Sequence, residues 1–184
     1  MVEEAQVKTF LDTAYSNWEW RSIGLIVHMA YEWAQRVGDM RLLTWNNLDL
    51  DEQRLDLEQS KRRADVHLPI SDALCKMLVQ QHKDFGFQAY VAPRPEPYNG
   101  AYTSYHSTDI HKLVNEVKDS AGLPKELTAL DLRRTGITEM VEAGVDTLGI
   151  MQVSGHSNPQ SVKPYLVNTL KGASTALNKR NNDK

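Results

Sequence analysis

One cysteine, Cys75, is all that 184 residues contain, so an intrachain disulfide is excluded and a metal site built on several thiolates is not expected. A reducing compartment, the cytoplasm, is the expected setting. No apolar run is long enough to cross a bilayer, and the first residues, Met1-Val2-Glu3-Glu4, are acidic where a secretory leader would be basic. No membrane partner is expected. A surplus of positive charge is missing as well. Lys and Arg number 21 against 24 Asp and Glu, a formal net charge of −3, which argues against a protein that grips a polyanion by bulk charge. Internal repeats and low-complexity segments are also absent.

What is present is a globular balance, 41% hydrophobic and 24% charged, in a length that suits one domain with a substantial core. The basic residues cluster at Lys61-Arg62-Arg63, Arg133-Arg134 and Lys179-Arg180. Taken singly, each cluster reads as a solvated surface.

Periodicity predicts a mainly helical α+β chain. Val7, Phe10, Leu11 and Ala14 share a face of a helix within residues 1–16. Ile23, Ile26, Val27, Ala30, Tyr31 and Ala34 recur at helical steps through Asn17 to Gln35, which reads as one well-buried helix. Gly38 interrupts that pattern, and Asp39 caps or charges the start of a further helix to about Trp45. The period then falls to two in Arg54-Leu55-Asp56-Leu57-Glu58 and Asp65-Val66-His67-Leu68, a small antiparallel hairpin with Lys61 at or near its tip. Ser71-Asp72 caps a helix to about Lys83. Residues 84–106, rich in Pro, Gly, Tyr and Asn, read as one long irregular stretch. Ser107-Thr108-Asp109 opens a helix ending near Gly122. Thr128 and Asp131 have capping-box spacing ahead of a helix to about Glu142, stopped by Gly144. Asp146 or Thr147 caps a short helix to about Val153. Asn158-Pro159 opens a short helix that places Tyr165 on it or just after. Residues 166–177 are weakly amphipathic, and 178–184 form a polar tail expected to be disordered.

Several of these elements carry residues suited to one chemistry. Cleaving a phosphodiester without a metal needs a nucleophile in line with phosphorus, fixed donors for the non-bridging oxygens and a proton for the leaving oxygen. Arginine suits the second task because its planar fork meets two phosphate oxygens and stays charged. Lysine or histidine suits proton donation. Tyrosine suits the nucleophile because its phenolate leaves readily in the reverse step, so the broken bond's energy is kept for rejoining.

In this setting the chain resembles the catalytic domain of tyrosine recombinases, the phage integrase family, over roughly residues 20–170. Four landmarks stand in order. Arg36 is followed by Asp39 and by Leu43-Thr44-Trp45. Lys61 lies in Gln59-Ser60-Lys61 on the hairpin. Arg133 lies in Asp131-Leu132-Arg133-Arg134-Thr135. His156 follows Gly155, and Tyr165 stands nine residues beyond it. The resemblance implies that Tyr165 attacks the scissile phosphate to give a 3′-phosphotyrosyl link and a free 5′-hydroxyl. Arg36 and Arg133 clamp the non-bridging oxygens, His156 adds a hydrogen bond, Lys61 protonates the leaving oxygen and Asp39 supports Arg36. Arg62, Arg63 and Arg134 become DNA contacts. The partner is double-stranded DNA with self-assembly upon it, and neither metal nor nucleotide cofactor takes part. Residues 1–177 make up the catalytic domain, with the family's N-terminal DNA-clamping domain absent from this chain.

Two departures matter. Leu130 stands where that family usually carries histidine or lysine, and Pro164 precedes the nucleophile where an arginine or other polar residue is usual. They keep two rivals in view: a recombinase-like protein that binds DNA without cutting it, and a type IB topoisomerase-like enzyme.

Overall fold

The computed structural model describes residues 2–58 and 65–155, with Gln160 and Arg180 as isolated positions. Among the described residues the helices are α1 (Glu4–Tyr15), α2 (Arg21–Glu32), α3 (Val37–Met40), α4 (Asp72–Phe85), α5 (Ser107–Ala121), α6 (Ala129–Glu142) and α7 (Thr147–Ser154). Three short strands, β1 (Leu48–Asp49), β2 (Arg54–Glu58) and β3 (Asp65–Pro69), lie between α3 and α4. They form one antiparallel sheet in the order β1-β2-β3, with Leu48 opposite Leu55 and Leu55 opposite Leu68. The expected mainly helical α+β architecture with a small antiparallel sheet is the one observed.

Helix α2 is the axis of the fold. Eight of its 12 residues are buried, Ser22 to Val27 with Met29 and Ala30. A helix apolar on nearly all sides must be covered on all sides, and α1, α4, α5 and α6 supply that cover. Close approach is built in at Gly24, where an added Cβ would lie 2.9 Å from both the Ala14 Cβ and the Tyr15 ring. Burying the large side chains Ile23, Leu25, Ile26 and Met29 removes enough apolar surface to contribute about 1.5–3 kcal/mol each.

Polar ties set the remaining elements around this axis. Gln81 of α4, fully buried, donates to the Ser22 hydroxyl at 3.1 Å and to the Val91 carbonyl at 3.0 Å. It accepts from Arg21 Nε at 2.8 Å, and the Arg21 guanidinium also pairs with Asp84 at 2.8 Å and covers the Trp18 ring. One cluster thereby joins α2, α4 and the start of the long irregular stretch. Trp33 Nε1 donates to the Pro69 carbonyl at 3.0 Å, joining the end of α2 to the end of β3.

Local capping chemistry placed most helix ends. Ser71 caps α4, and Asp146, not Thr147, caps α7. Thr128 and Asp131 form the capping box of α6, and the Thr128 hydrogen bonds hold the Asp131 carboxyl below its ordinary range. Gly122 ends α5 in the left-handed region at φ 69°. His106 rather than Ser107 caps α5, its ring accepting from the Thr108 amide.

Three expectations are corrected. The single helix from Asn17 to Gln35 is a 3-10 turn, Trp18–Trp20, followed by α2 ending at Glu32. The Asn17 side chain accepts from the Glu19 amide and starts the turn, and Ala34 at φ +50° forbids continuation of α2. Gly38 lies inside α3 rather than before it. Asp39 sits in the first turn, Arg36 is the N-cap residue, and the helix stops at Met40 well short of Trp45. Strand β1 was not expected, because two residues are too few to display a period.

Candidate active site

The chain leaves α2 through Trp33, turns at Ala34 and enters α3 with Arg36 in extended geometry (φ −73°, ψ 138°) at its N-cap. The Arg36 side chain is 22% exposed, with Nη1 3.8 Å from Asp39 Oδ2 one helical turn away. That separation is an ion pair without a close hydrogen bond. Arg36 Nη1 is buried and meets no hydrogen-bond acceptor among the described residues. A buried guanidinium N–H without a hydrogen bond costs about 1–3 kcal/mol or more. Asp39, 5% exposed, stands beneath it.

Arg133 reaches the same turn from α6. It is 6% exposed, and its Nε donates to the Ala34 carbonyl at 3.0 Å while Nη2 donates to the Ser154 carbonyl at 2.9 Å. Ala34 precedes Arg36 by two residues, and Ser154 precedes His156 by two. One guanidinium thus fastens the chain beside the first landmark to the chain beside the last, 99 and 21 residues away along the sequence. Gly136, one turn along α6, lets this happen. A Cβ there would lie 3.2 Å from the Ala34 Cβ and 3.3 Å from the Tyr31 carbonyl oxygen. Ala34, Ile137 and Ile150 form a small buried cluster beneath the junction.

A second tie runs alongside the first. Gln35 Nε2 donates to the Trp33 carbonyl at 2.7 Å and to the Val153 carbonyl at 2.8 Å, and the residue is 1% exposed. Helix α7 then ends on Gly155 at φ 74°, a left-handed turn that costs glycine little.

Of the expected site residues, Arg36, Asp39 and Arg133 are therefore brought to one junction, and Arg134 is exposed on α6. Lys61, Arg62, Arg63, His156 and Tyr165 lie outside the described residues, as do the helix expected after Pro159, the amphipathic stretch 166–177 and most of the tail. Their expected places at the site stand as expectations. Of the other tyrosines, Tyr98 is 70% exposed and Tyr105 is buried. Of the four tryptophans, Trp33 is buried, Trp20 and Trp45 are half-buried and Trp18 is 48% exposed. His28 is structural, bonded to the Tyr15 hydroxyl at 2.9 Å, whereas His67 is exposed and pairs with Asp56 at 2.7 Å.

Sequence reasoning missed Ala34 and Gln35. A glutamine at a helix end reads as a solvated residue, and an alanine carries no signal for positive φ. Only their neighbour Arg36 drew attention.

A mainly helical domain with a three-stranded antiparallel sheet, and with two arginines drawn to one turn from distant segments, has the build of a tyrosine-recombinase catalytic domain. The model of the phage integrase family matches residues 1–171, and the chain belongs to that family. Among solved structures, it is similar to the XerA recombinase, with 19% identity and a TM-score of 0.75 over 97% of this chain and 62% of that one. The integrase of transposon Tn1549, solved with a circular intermediate DNA, gives 16% identity and a TM-score of 0.70, covering 97% of this chain and 65% of the other. A lambda integrase dimer bound to a COC′ core site gives 18% identity and a TM-score of 0.67, covering 90% and 47%. The chain thus spans less than two thirds of each of these proteins. No curated protein sequence matches it. Among the described residues, no helix is long and apolar enough to cross a membrane.

Proposed function

We propose that residues 1–177 are the catalytic domain of a site-specific DNA recombinase or integrase that cuts and rejoins double-stranded DNA through a 3′-phosphotyrosyl intermediate on Tyr165. The observation that carries this reading is the junction itself. Arg133 bonds to the turn bearing Arg36 and to the end of α7, so two of the landmarks, Arg36 and Arg133, belong to one locality although the sequence separates them widely. Arg36 offers it a buried, unpaired N–H.

In the proposed reaction the Tyr165 phenol oxygen attacks phosphorus in line, its proton passing to solvent water, and the phosphorus–5′-oxygen bond breaks. Lys61 gives the departing oxygen its proton. Arg36 and Arg133 hold the non-bridging oxygens as charge builds on them, and His156 adds a further donor. Asp39 keeps the Arg36 guanidinium oriented. Attack by a 5′-hydroxyl on the phosphotyrosine reverses the bonds and reseals a strand, with no external energy source. No metal or nucleotide has a part in this scheme. Arg62, Arg63 and Arg134 contact the DNA backbone, and several protomers assemble on the DNA. Crosslinking that finds only monomers on DNA would count against the assembly.

A specific observation favours a second reading. Leu130 cannot donate to phosphate, and Arg133 commits two N–H groups to backbone carbonyls, as suits a recombinase-like protein that binds DNA without cutting it. A nicked suicide duplex separates the two readings. The wild-type chain should form a covalent protein–DNA adduct on denaturing gels, and Tyr165→Phe should reduce it below detection. DNA binding with no wild-type adduct would leave the binding protein. Relaxation of supercoiled DNA without joining of sites would leave the topoisomerase-like enzyme.

A further inference from the structure

The end of α7 and the turn after α2 are joined at two adjacent levels. At one level Arg133 bridges the carbonyls of Ala34 and Ser154. At the other, Gln35 bridges those of Trp33 and Val153. A single bridge fixes a distance, whereas two in parallel fix an orientation as well. Each of these carbonyls lies at a helix end, where the helix itself offers no donor. The Met151 carbonyl is met by the Gly155 amide at 2.8 Å, so the last turn of α7 is closed locally on one side and by Gln35 and Arg133 on the other. Both partners of Gln35 are acceptors, so the amide must face them with its NH2 group, and its two protons match the two oxygens.

We propose that Gln35 is a positioning residue, whose amide holds Arg36 in register with the chain leaving α7 toward His156 and thereby governs the rate of strand cleavage rather than the affinity for DNA. The proposal rests on the reading that Arg36 and His156 serve one phosphate. Gln35 itself is 1% exposed and so presents almost no surface to DNA. Its backbone amide donates to the Ala30 carbonyl at 3.0 Å, which fastens its own main chain to α2. The side chain is therefore anchored at its root, and its far end decides where α7 lies relative to that root. Displacing a reacting group by about 1 Å lowers a rate roughly 100-fold, and losing one of two parallel bridges permits a shift on that scale.

Two variants of the full chain test this, with single-turnover adduct formation on the nicked duplex and equilibrium DNA binding measured for each. Gln35→Met keeps length and apolar volume and removes both donors. It should cleave roughly 100-fold more slowly at saturating DNA, with an unchanged dissociation constant. Gln35→Glu points a carboxylate at two carbonyls near neutral pH and regains one donor once protonated. Its rate relative to wild type should rise as pH falls, and that of Gln35→Met should stay flat. A folded Gln35→Met at wild-type rate would overturn the proposal, as would equal losses of rate and affinity. Should Gln35→Met fail to fold, the Gln35→Glu profile decides, and a profile parallel to wild type overturns it. A wild-type chain that binds DNA without forming adduct removes the recombinase reading itself, which is a separate result.

Discussion

The body of α2 and the turn past its C-terminus are held in opposite ways. Along its body, Ile23, Leu25, Ile26 and Met29 are enclosed by apolar side chains from neighbouring helices, and the contacts there are non-directional. Past its C-terminus, Ala34, Ile137 and Ile150 form a small separate buried group, and the junction is made by donors aimed at particular carbonyls. Apolar packing tolerates changes of shape at similar volume and supplies most of the stability. Aimed donors add less energy but tie one atom to another. Stability and positional precision therefore reside in different parts of one continuous chain.

Three changes would sharpen or break this contrast. The largest effect on stability is expected from Leu25→Ala, about 2–5 kcal/mol by urea denaturation, with the rate of adduct formation per folded molecule unchanged. A parallel loss of that rate would erase the distinction. Gly136→Ala comes next, because its Cβ would lie 3.2 Å from the Ala34 Cβ and 3.3 Å from the Tyr31 carbonyl oxygen, so the turn must shift by a few tenths of an ångström. It should cost only about 1–3 kcal/mol yet slow cleavage at least as much as Gln35→Met. Unaltered cleavage would mean that the Ala34 turn does not transmit its position to Arg36.

The smallest effect belongs to His28, on the body of α2 and away from the junction. Burial lowers its pKa to about 4, against about 6.5 for a free imidazole. The neutral ring shares a hydrogen bond through Nδ1 with the Tyr15 hydroxyl, whose own pKa burial raises. The unfolded chain binds a proton below about pH 6.5 that the folded chain refuses until about pH 4. The stability associated with the neutral ring is thus complete above about 6.5 and is lost as pH falls toward 4, on the order of 2 kcal/mol in all. His28→Gln should flatten that part of the stability–pH curve relative to wild type. An unchanged curve would show that the ring is already hydrated in the fold.

Elements were legible wherever a short-range rule governs them. Ser71, the Thr128–Asp131 box and Gly122 mark helix ends through bonds within a few residues, so their chemistry is written in adjacent letters. The hairpin strands were legible because β2 and β3 each show a clear alternation. Gly38 misled because glycine signals a break in sequence, yet a four-residue helix stabilised by its surroundings accommodates it. Arg36, Asp39 and Arg133 were singled out from spacing and residue type, and the junction that unites the arginines' surroundings was not. Neither Ala34 nor Gln35 carries a local mark of its role, since one owes it to an unusual φ and the other to carbonyls supplied by two different helices.

The amino-acid order alone determined the helical periods, the caps, the alternation in the sheet and the family to which the chain belongs, because each depends on neighbours in sequence or on a pattern of residue types. The tertiary structure alone decided that Arg133 would bond to Ala34 and Ser154, and that Gln35 would reach Val153. Those bonds join residues 21 to 118 positions apart. Their formation depends on α6 and α7 packing against the end of α2, which no local propensity encodes.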